Sequence, residues 1–127
     1  MIVGIGVDLV EISELRRLAE LDNGVFVKRT FTQKEIAEAE ASHDKMAHLA
    51  TRFAAKEAVF KAVAHHTKEQ GFDFRIVETL GEPDGYPRVH PDEKLRSLMD
   101  EAGISNLLLS LSTEGGFAIA MVVADSG

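Results

Sequence analysis

Apolar and small or polar residues alternate over the first ten positions. Val3, Ile5, Val7 and Leu9 take the odd places, and Gly4, Gly6 and Asp8 the even ones. A period of two predicts a strand over Ile2–Val10, with Asp8 on the face that carries two glycines. Glycine inside a strand marks a close approach by a ligand or by another backbone. Taken alone, Asp8 reads as a strand-end carboxylate facing water. The period then changes. Ile12, Leu15 and Leu18 recur at helical spacing, predicting a helix from Glu11 to about Leu21 that Asp22-Asn23-Gly24 stops. Thr32-Gln33-Lys34-Glu35 is a capping box opening a short helix to about Ala41. A third helix, capped by Ser42 or Asp44, is expected to run to about His66.

Phe72–Thr79 is expected as a strand, Glu82-Pro83-Asp84-Gly85 as a turn and Tyr86–His90 as a short return strand. Pro91 suits the first position of a helix ending at Gly103. The apolar runs Leu107–Ser112 and Phe117–Ala124 flank Glu114-Gly115-Gly116, the pattern of a hairpin. A strand, three helices, two strands, a helix and a hairpin do not alternate as βαβ units. The class is therefore α+β, in one domain spanning 1–127.

The helical segment Leu49–Ala64 carries an anomaly. At about 100° per residue, Leu49, Phe53, Phe60, Val63 and Ala64 share one face. Lys56 falls inside that stripe and Glu57 at its edge. Such charges must find partners, reach water or line a site. Lys56 could snorkel outward along its apolar stem. Glu57 and Lys61, spaced i, i+4, could form an ordinary helix ion pair worth ~0.2–0.5 kcal/mol.

Composition narrows the chemistry. Hydrophobic residues make up 45% and charged residues 28% of the 127 positions, a globular balance. The absence of cysteine excludes disulfides, thiolate metal sites and cysteine nucleophiles. The formal charge of −7 argues against nucleic acid as a partner. No apolar run approaches the ~20 residues that cross a bilayer, and the first residues lack the features of a signal peptide. A cytoplasmic location away from membranes is expected.

Two segments point further. Gly4-Ile5-Gly6-Val7-Asp8-Leu9-Val10-Glu11-Ile12 and Arg52-Phe53-Ala54-Ala55-Lys56-Glu57-Ala58-Val59-Phe60-Lys61-Ala62 resemble the two signature motifs of the phosphopantetheinyl transferases, most closely the short bacterial type. Phe26–Glu35 is similar to that family's helix-opening segment, and Gly85-Tyr86-Pro87 to its glycine-x-proline turn. The resemblance implies the 4′-phosphopantetheinyl transferase-like α+β fold, with the first strand beside the long helix. It also implies a homotrimer with active sites between neighbouring subunits.

The resemblance further implies the chemistry. Asp8 and Glu57 would hold Mg²⁺, and Lys61 would sit near the pyrophosphate of coenzyme A. Arg52, Pro87, Ser112 and Thr113 would contact the coenzyme, Arg52 from the neighbouring subunit's side. A serine of an acyl-carrier protein would attack the β-phosphate, giving phosphopantetheinylated carrier for fatty-acid or related lipid and polyketide synthesis, and 3′,5′-ADP. Magnesium suits such a site, because it takes oxygen ligands and needs only one or two carboxylates beside substrate phosphates. Glu57, directly or through a water, is the candidate for taking the serine proton, and Lys61 for neutralising charge on the pyrophosphate side.

The sequence also departs from the family. A glycine-threonine-glycine usually follows the lysine of the second motif, where this chain has Val63-Ala64-His65-His66-Thr67. His65 and His66 read most simply as the solvated end of a helix. The family's serine-x-serine-histidine is Ser110-Leu111-Ser112-Thr113 here. An arginine usual early in the first helix is Glu14, leaving Arg16 and Arg17 as the candidate contacts to an acidic carrier. The alternative is an altered relative that binds coenzyme A or a carrier without efficient transfer.

Overall fold

The first strand owes its position to glycine. The computed structural model describes residues 1–68, 71 and 73–127. Strand β1 (Ile2–Glu11) turns Gly4 and Gly6 toward helix α4 (Lys45–Ala64). A Cβ on Gly4 would lie 2.5 Å from the Ala62 carbonyl oxygen, and one on Gly6 would lie 2.0 Å from that of Ala58. No side chain fits there, so the helix backbone rests directly on the strand. The close approach read from the glycines is thus by another backbone. Four helical residues advance about 6 Å and two strand residues about 6.8 Å, so the two contacts keep register.

Strand β1 continues into α1 (Ile12–Glu20), which buries Leu15. Asp22-Asn23-Gly24 ends it, with φ values of 48°, 56° and 82°. The chain restarts at once as α2 (Val25–Thr30), a helix the sequence pattern does not predict. Six residues are too few to show a period. Phe26 packs edge-on against Phe31 and Phe53, with centroids 6.4 and 5.6 Å away.

The capping box of α3 (Gln33–Glu40) forms as expected, and Asp44 rather than Ser42 caps α4. The expected single apolar stripe on α4 is corrected. The helix is buried on several sides, and Ala54, Ala58 and Ala62 are fully covered along with Val59 and Val63.

Lys56 neither snorkels nor lines a site. It is 0% exposed, and its Nζ lies 2.8 Å from Glu35 Oε1, itself 0% exposed. It also donates to the carbonyls of Phe74 at 2.8 Å and Val77 at 2.7 Å. Burial pulls the ammonium's pKa below its ordinary value, and Glu35 opposes that pull. Glu35 also accepts from the N–H groups of Thr32 and Thr79, both at 2.9 Å. One ion pair thus ties α3, α4 and the following strand together.

The strand expected over Phe72–Thr79 begins later. Phe72 lies outside the described residues, and Phe74–Ile76 form a 3₁₀ turn capped by Asp73, whose carboxylate accepts from Arg75 N–H at 2.9 Å. Strand β2 (Val77–Gly81) then pairs antiparallel with β3 (Pro87–Pro91). Pro91 closes β3 opposite Val77 instead of opening a helix. Helix α5 (Glu93–Ala102) is capped by Asp92 and ends at Gly103, as expected.

The hairpin of β4 (Asn106–Glu114) and β5 (Phe117–Asp125) turns through Gly115 and Gly116, at φ 55° and 83°. Two consecutive left-handed residues suit a tight hairpin. Strand β5 is central, giving the antiparallel order β1-β5-β4. Its Ala118, Ala120, Val122 and Ala124 are buried. The opposite sheet face is apolar yet open: Val7, Leu9, Ile119, Met121 and Leu108 are all more than 40% exposed. Among the described residues, no helix is long and apolar enough to cross a membrane.

Candidate active site

Past Gly6, the strand and the helix no longer touch by backbone alone. Asp8 follows Gly6 on the same face, opposite Ala120 of β5. Glu57 precedes Ala58, whose carbonyl abuts Gly6, and Lys61 lies one turn beyond. Lys61 Nζ is 3.1 Å from Asp8 Oδ1 and donates to the Val7 carbonyl at 3.0 Å. Lys61 therefore pairs across to the strand, not along its own helix with Glu57.

Asp8, Glu11, Glu14, Phe53, Glu57 and Lys61 line an open groove of about 550 Å³, floored by residues of α1. Burial raises the pKa of Glu57, the charge of Asp8 raises it further, and Lys61 partly offsets both. Two carboxylates thus share a half-buried space with one ammonium. Such a set attracts a hard cation and acidic phosphoryl oxygens together. Among the described residues, no group of three or more histidines and carboxylates is placed to hold a metal. Any cation there would rely on Asp8 and Glu57 and on oxygens from elsewhere.

The other expected site residues lie apart from this groove. Arg52 is buried beside α3, donating to Glu38 Oε1 at 2.7 Å and to Thr51 Oγ1 at 3.1 Å, while its Nε has no partner among the described residues. Burial pushes the Glu38 carboxyl up. Bonds from the Gly81 N–H, Arg52 and His48 outweigh that and hold it below its ordinary value. Pro87 lines a separate groove of about 390 Å³ with Arg88, Arg96 and Asn106. Ser112 stands opposite Ile119, on the row that continues to Leu9, and Thr113 opposite Ala118. On α1, Arg16 is exposed and Arg17 is bonded to Glu14. Sequence reasoning missed that Glu11 and Phe53 border the groove. Both stand inside the motif segments, which was the available signal.

The strand aspartate, the helix glutamate and the lysine around one groove lie in a mixed fold of helices and sheet, and that fold is one of a known class of transferases. The chain belongs to the 4′-phosphopantetheinyl transferase superfamily, whose model matches residues 4–122. It is similar to the holo-[acyl-carrier-protein] synthase of Geotalea daltonii, at 35% identity over 98% of this chain and 99% of the relative. Among solved structures it matches the synthase of Neisseria meningitidis, with TM-score 0.88 and 36% identity, covering 98% of this chain and 99% of that one. It also matches the Helicobacter pylori synthase in complex with coenzyme A, with TM-score 0.81 and 29% identity over 95% and 99% of the two chains.

Proposed function

We propose that this transferase moves the 4′-phosphopantetheine group of coenzyme A onto a serine of an apo acyl-carrier protein, with Mg²⁺, and releases 3′,5′-ADP. The observation that carries the reading is the groove in which Asp8 and Glu57 face one space while Lys61 bridges Asp8 to the helix. The coenzyme enters by analogy with the Helicobacter pylori relative, which was solved in complex with it. The carrier enters through the relatives' names.

Magnesium fits the donor set. Glu57, whose proton affinity is raised by burial and by the charge of Asp8, is relieved by a divalent cation between the two carboxylates. When bound, the metal polarises phosphoryl oxygens and orients the leaving group. The protein's own groups supply the rest. Lys61 carries its charge at the groove's edge, where it meets a pyrophosphate oxygen. Glu57, whose pKa burial raises above its ordinary value, is the group assigned to accept the serine proton, directly or through water. The attacking oxygen forms its bond to the β-phosphorus as the bond to 3′,5′-ADP breaks.

The working unit in this reading is a homotrimer. The open apolar sheet face supports it, because such a face marks an interface. So does the scatter of Pro87, Ser112 and Thr113, which a second copy brings to the Asp8 groove; Arg52, buried against Glu38, needs to turn from that bond to take part. Arg16 and Arg17 are exposed cations on α1, each next in sequence to a residue of the groove's lining, and are assigned to the carrier.

The test is direct. Incubation with apo carrier protein, coenzyme A and Mg²⁺ should increase the carrier's mass by one phosphopantetheine. Failure to form the adduct with any of several carriers sinks the transferase reading and favours the altered relative.

A further inference from the structure

A charged cluster outside the Asp8 groove joins three elements. Glu38 stands on α3, and His48 and Arg52 stand one turn apart on α4. Glu38 Oε1 accepts from Arg52 Nη2 at 2.7 Å and bonds His48 Nε2 at 2.8 Å. Glu38 Oε2 accepts from the N–H of Gly81, which ends β2, at 2.8 Å. The carboxyl, which burial pushes up and these bonds hold below its ordinary value, is charged at neutral pH. One carboxylate thus meets one guanidinium, and the cluster is balanced within the chain.

The guanidinium is engaged from the inside. Only 9% of the Arg52 side chain is exposed. A guanidinium grips a phosphate best through two parallel N–H bonds, from Nη1 with Nη2 or from Nε with Nη2. Nη2 belongs to both forks, and it is the nitrogen that Glu38 holds. Nη1 is turned to Thr51 Oγ1 at 3.1 Å. An anion arriving at Arg52 therefore meets a rival acceptor already in place. That rival is not stranded when Arg52 leaves. Glu38 keeps the Gly81 N–H and His48, and 26% of its side chain reaches water. Gly81 pairs with Pro87, so the β2–β3 hairpin stays tied to α3 throughout.

We propose that Glu38 is a positioning residue that acts through Arg52: its carboxylate competes with a phosphate of coenzyme A for the guanidinium and so sets the affinity for the coenzyme. The inference rests on the transferase reading and deepens it. Binding includes the work of parting Arg52 from Glu38. The observed affinity is then the intrinsic one, reduced by the fraction of chains in which the guanidinium is free. Removing the rival raises that fraction and leaves the chemical step, which runs at Asp8, Glu57 and Lys61, as it was.

The test titrates wild type and Glu38→Gln with coenzyme A by calorimetry. The variant keeps an oxygen for the Gly81 N–H and loses the charge that holds Arg52. It should bind coenzyme A about five-fold more tightly. KM for coenzyme A should fall with kcat nearly unchanged, a split that a merely structural role would not produce. Glu38→Ala should show the same gain, and it stands in if the glutamine variant does not fold. In an Arg52→Gln background, Glu38→Gln should leave the affinity unmoved. Glu40→Gln removes an equal charge from the same helix, at a residue paired with Lys45 at 3.6 Å, and should match wild type. Unchanged or weaker affinity on loss of the Glu38 charge overturns the proposal. So does a gain that survives Arg52→Gln, or an equal gain in Glu40→Gln, which would assign the effect to net charge. The titration needs no carrier. Tighter binding by Glu38→Gln supports the competition even if no carrier is modified, and unchanged binding rejects it even if transfer is active.

Discussion

Lys61 Nζ lies 3.1 Å from Asp8 Oδ1, joining residues 53 positions apart across the seam of β1 and α4. The pair is half open to water, with side-chain exposures of 51% and 17%, so it adds little to stability, ~0–1 kcal/mol. Its value lies in position. The same carboxylate faces Glu57 across the groove that the ammonium also lines. Replacing Asp8 by Asn should leave the fold intact and reduce transfer on the order of 100-fold or more, with loss of the response to Mg²⁺. Carrier mass against time, at several metal concentrations, measures both. Full activity in this variant would remove Asp8 from the metal site.

Glu57 should give the enzyme a pH signature. Burial and Asp8 raise its pKa above the ordinary 4.5, so the folded chain holds this proton more tightly than the unfolded chain. The associated stabilisation is full below the unfolded value and is lost as pH rises through the folded one. Above the ordinary carboxylate value Glu57 is therefore a burden on the free protein. Glu57→Gln should melt higher than wild type there, and the gap should close in acid below the ordinary carboxylate value. Metal affinity of the wild type should rise with pH over the range in which Glu57 ionises. Thermal melts with and without Mg²⁺ across pH check both trends. A Glu57→Gln melting curve that tracked wild type at every pH would contradict the assigned repulsion.

The buried Lys56–Glu35 pair is a matter of architecture. Removing Lys56 strands the Glu35 charge and takes a donor from the carbonyls of Phe74 and Val77. Lys56→Ala should cost about 3–5 kcal/mol in urea unfolding. Lys56→Met with Glu35→Gln should cost less than the sum of the single changes, since no unpaired charge remains. Strict additivity would show that the two charges do not depend on each other.

Gly6 sets how closely the site is drawn together. A methyl group at this position meets the Ala58 carbonyl at 2.0 Å, a backbone atom that cannot swing aside. Gly6→Ala should push α4 off β1 and part Asp8 from Glu57. A loss of about 1–3 kcal/mol in stability is expected, with a larger fall in metal affinity. Calorimetric metal titration of folded variant protein distinguishes this from simple unfolding. Wild-type affinity would show that the seam can open without disturbing the carboxylates.

Local pattern made part of this structure readable and hid the rest. The alternation of β1, the capping box at Thr32 and Glu35, and the paired glycines of the hairpin are short-range features, and each appears where expected. Lys56 was opaque because its carbonyl partners lie 18 and 21 positions away, on the 3₁₀ turn and on β2, and its carboxylate partner is Glu35 on α3, all beyond any helical wheel. Helix α2 escaped because it begins directly after three left-handed residues. The Asp8–Glu57 groove was legible through its motifs alone, since a strand end and a helix edge show nothing of their meeting in isolation. Arg52 stood in the same motif, yet it turns to Glu38 on α3, a contact that no spacing rule anticipates.

The same scatter makes a prediction about assembly. Val7, Met121 and Ser110 form one row across the outer sheet face, and Leu9, Ile119 and Ser112 form the next. These leucine, isoleucine, valine and methionine side chains are open to water in the single chain, which is costly unless another surface covers them. On the proposed homotrimer reading, light scattering should give wild type three times the chain mass. Met121→Asp would place a charge in the middle of this face and should shift the protein toward monomer while preserving its secondary structure. Transfer should fall with it, by about ten-fold or more, because Asp8, Glu57 and Lys61 would be left without the groups of a neighbouring copy. Mixing the monomeric variant with an Asp8→Asn protein of otherwise native surface tests the sharing of sites. A monomer that transfers at the wild-type rate would show instead that one chain holds the whole active site, and that the apolar face serves another purpose.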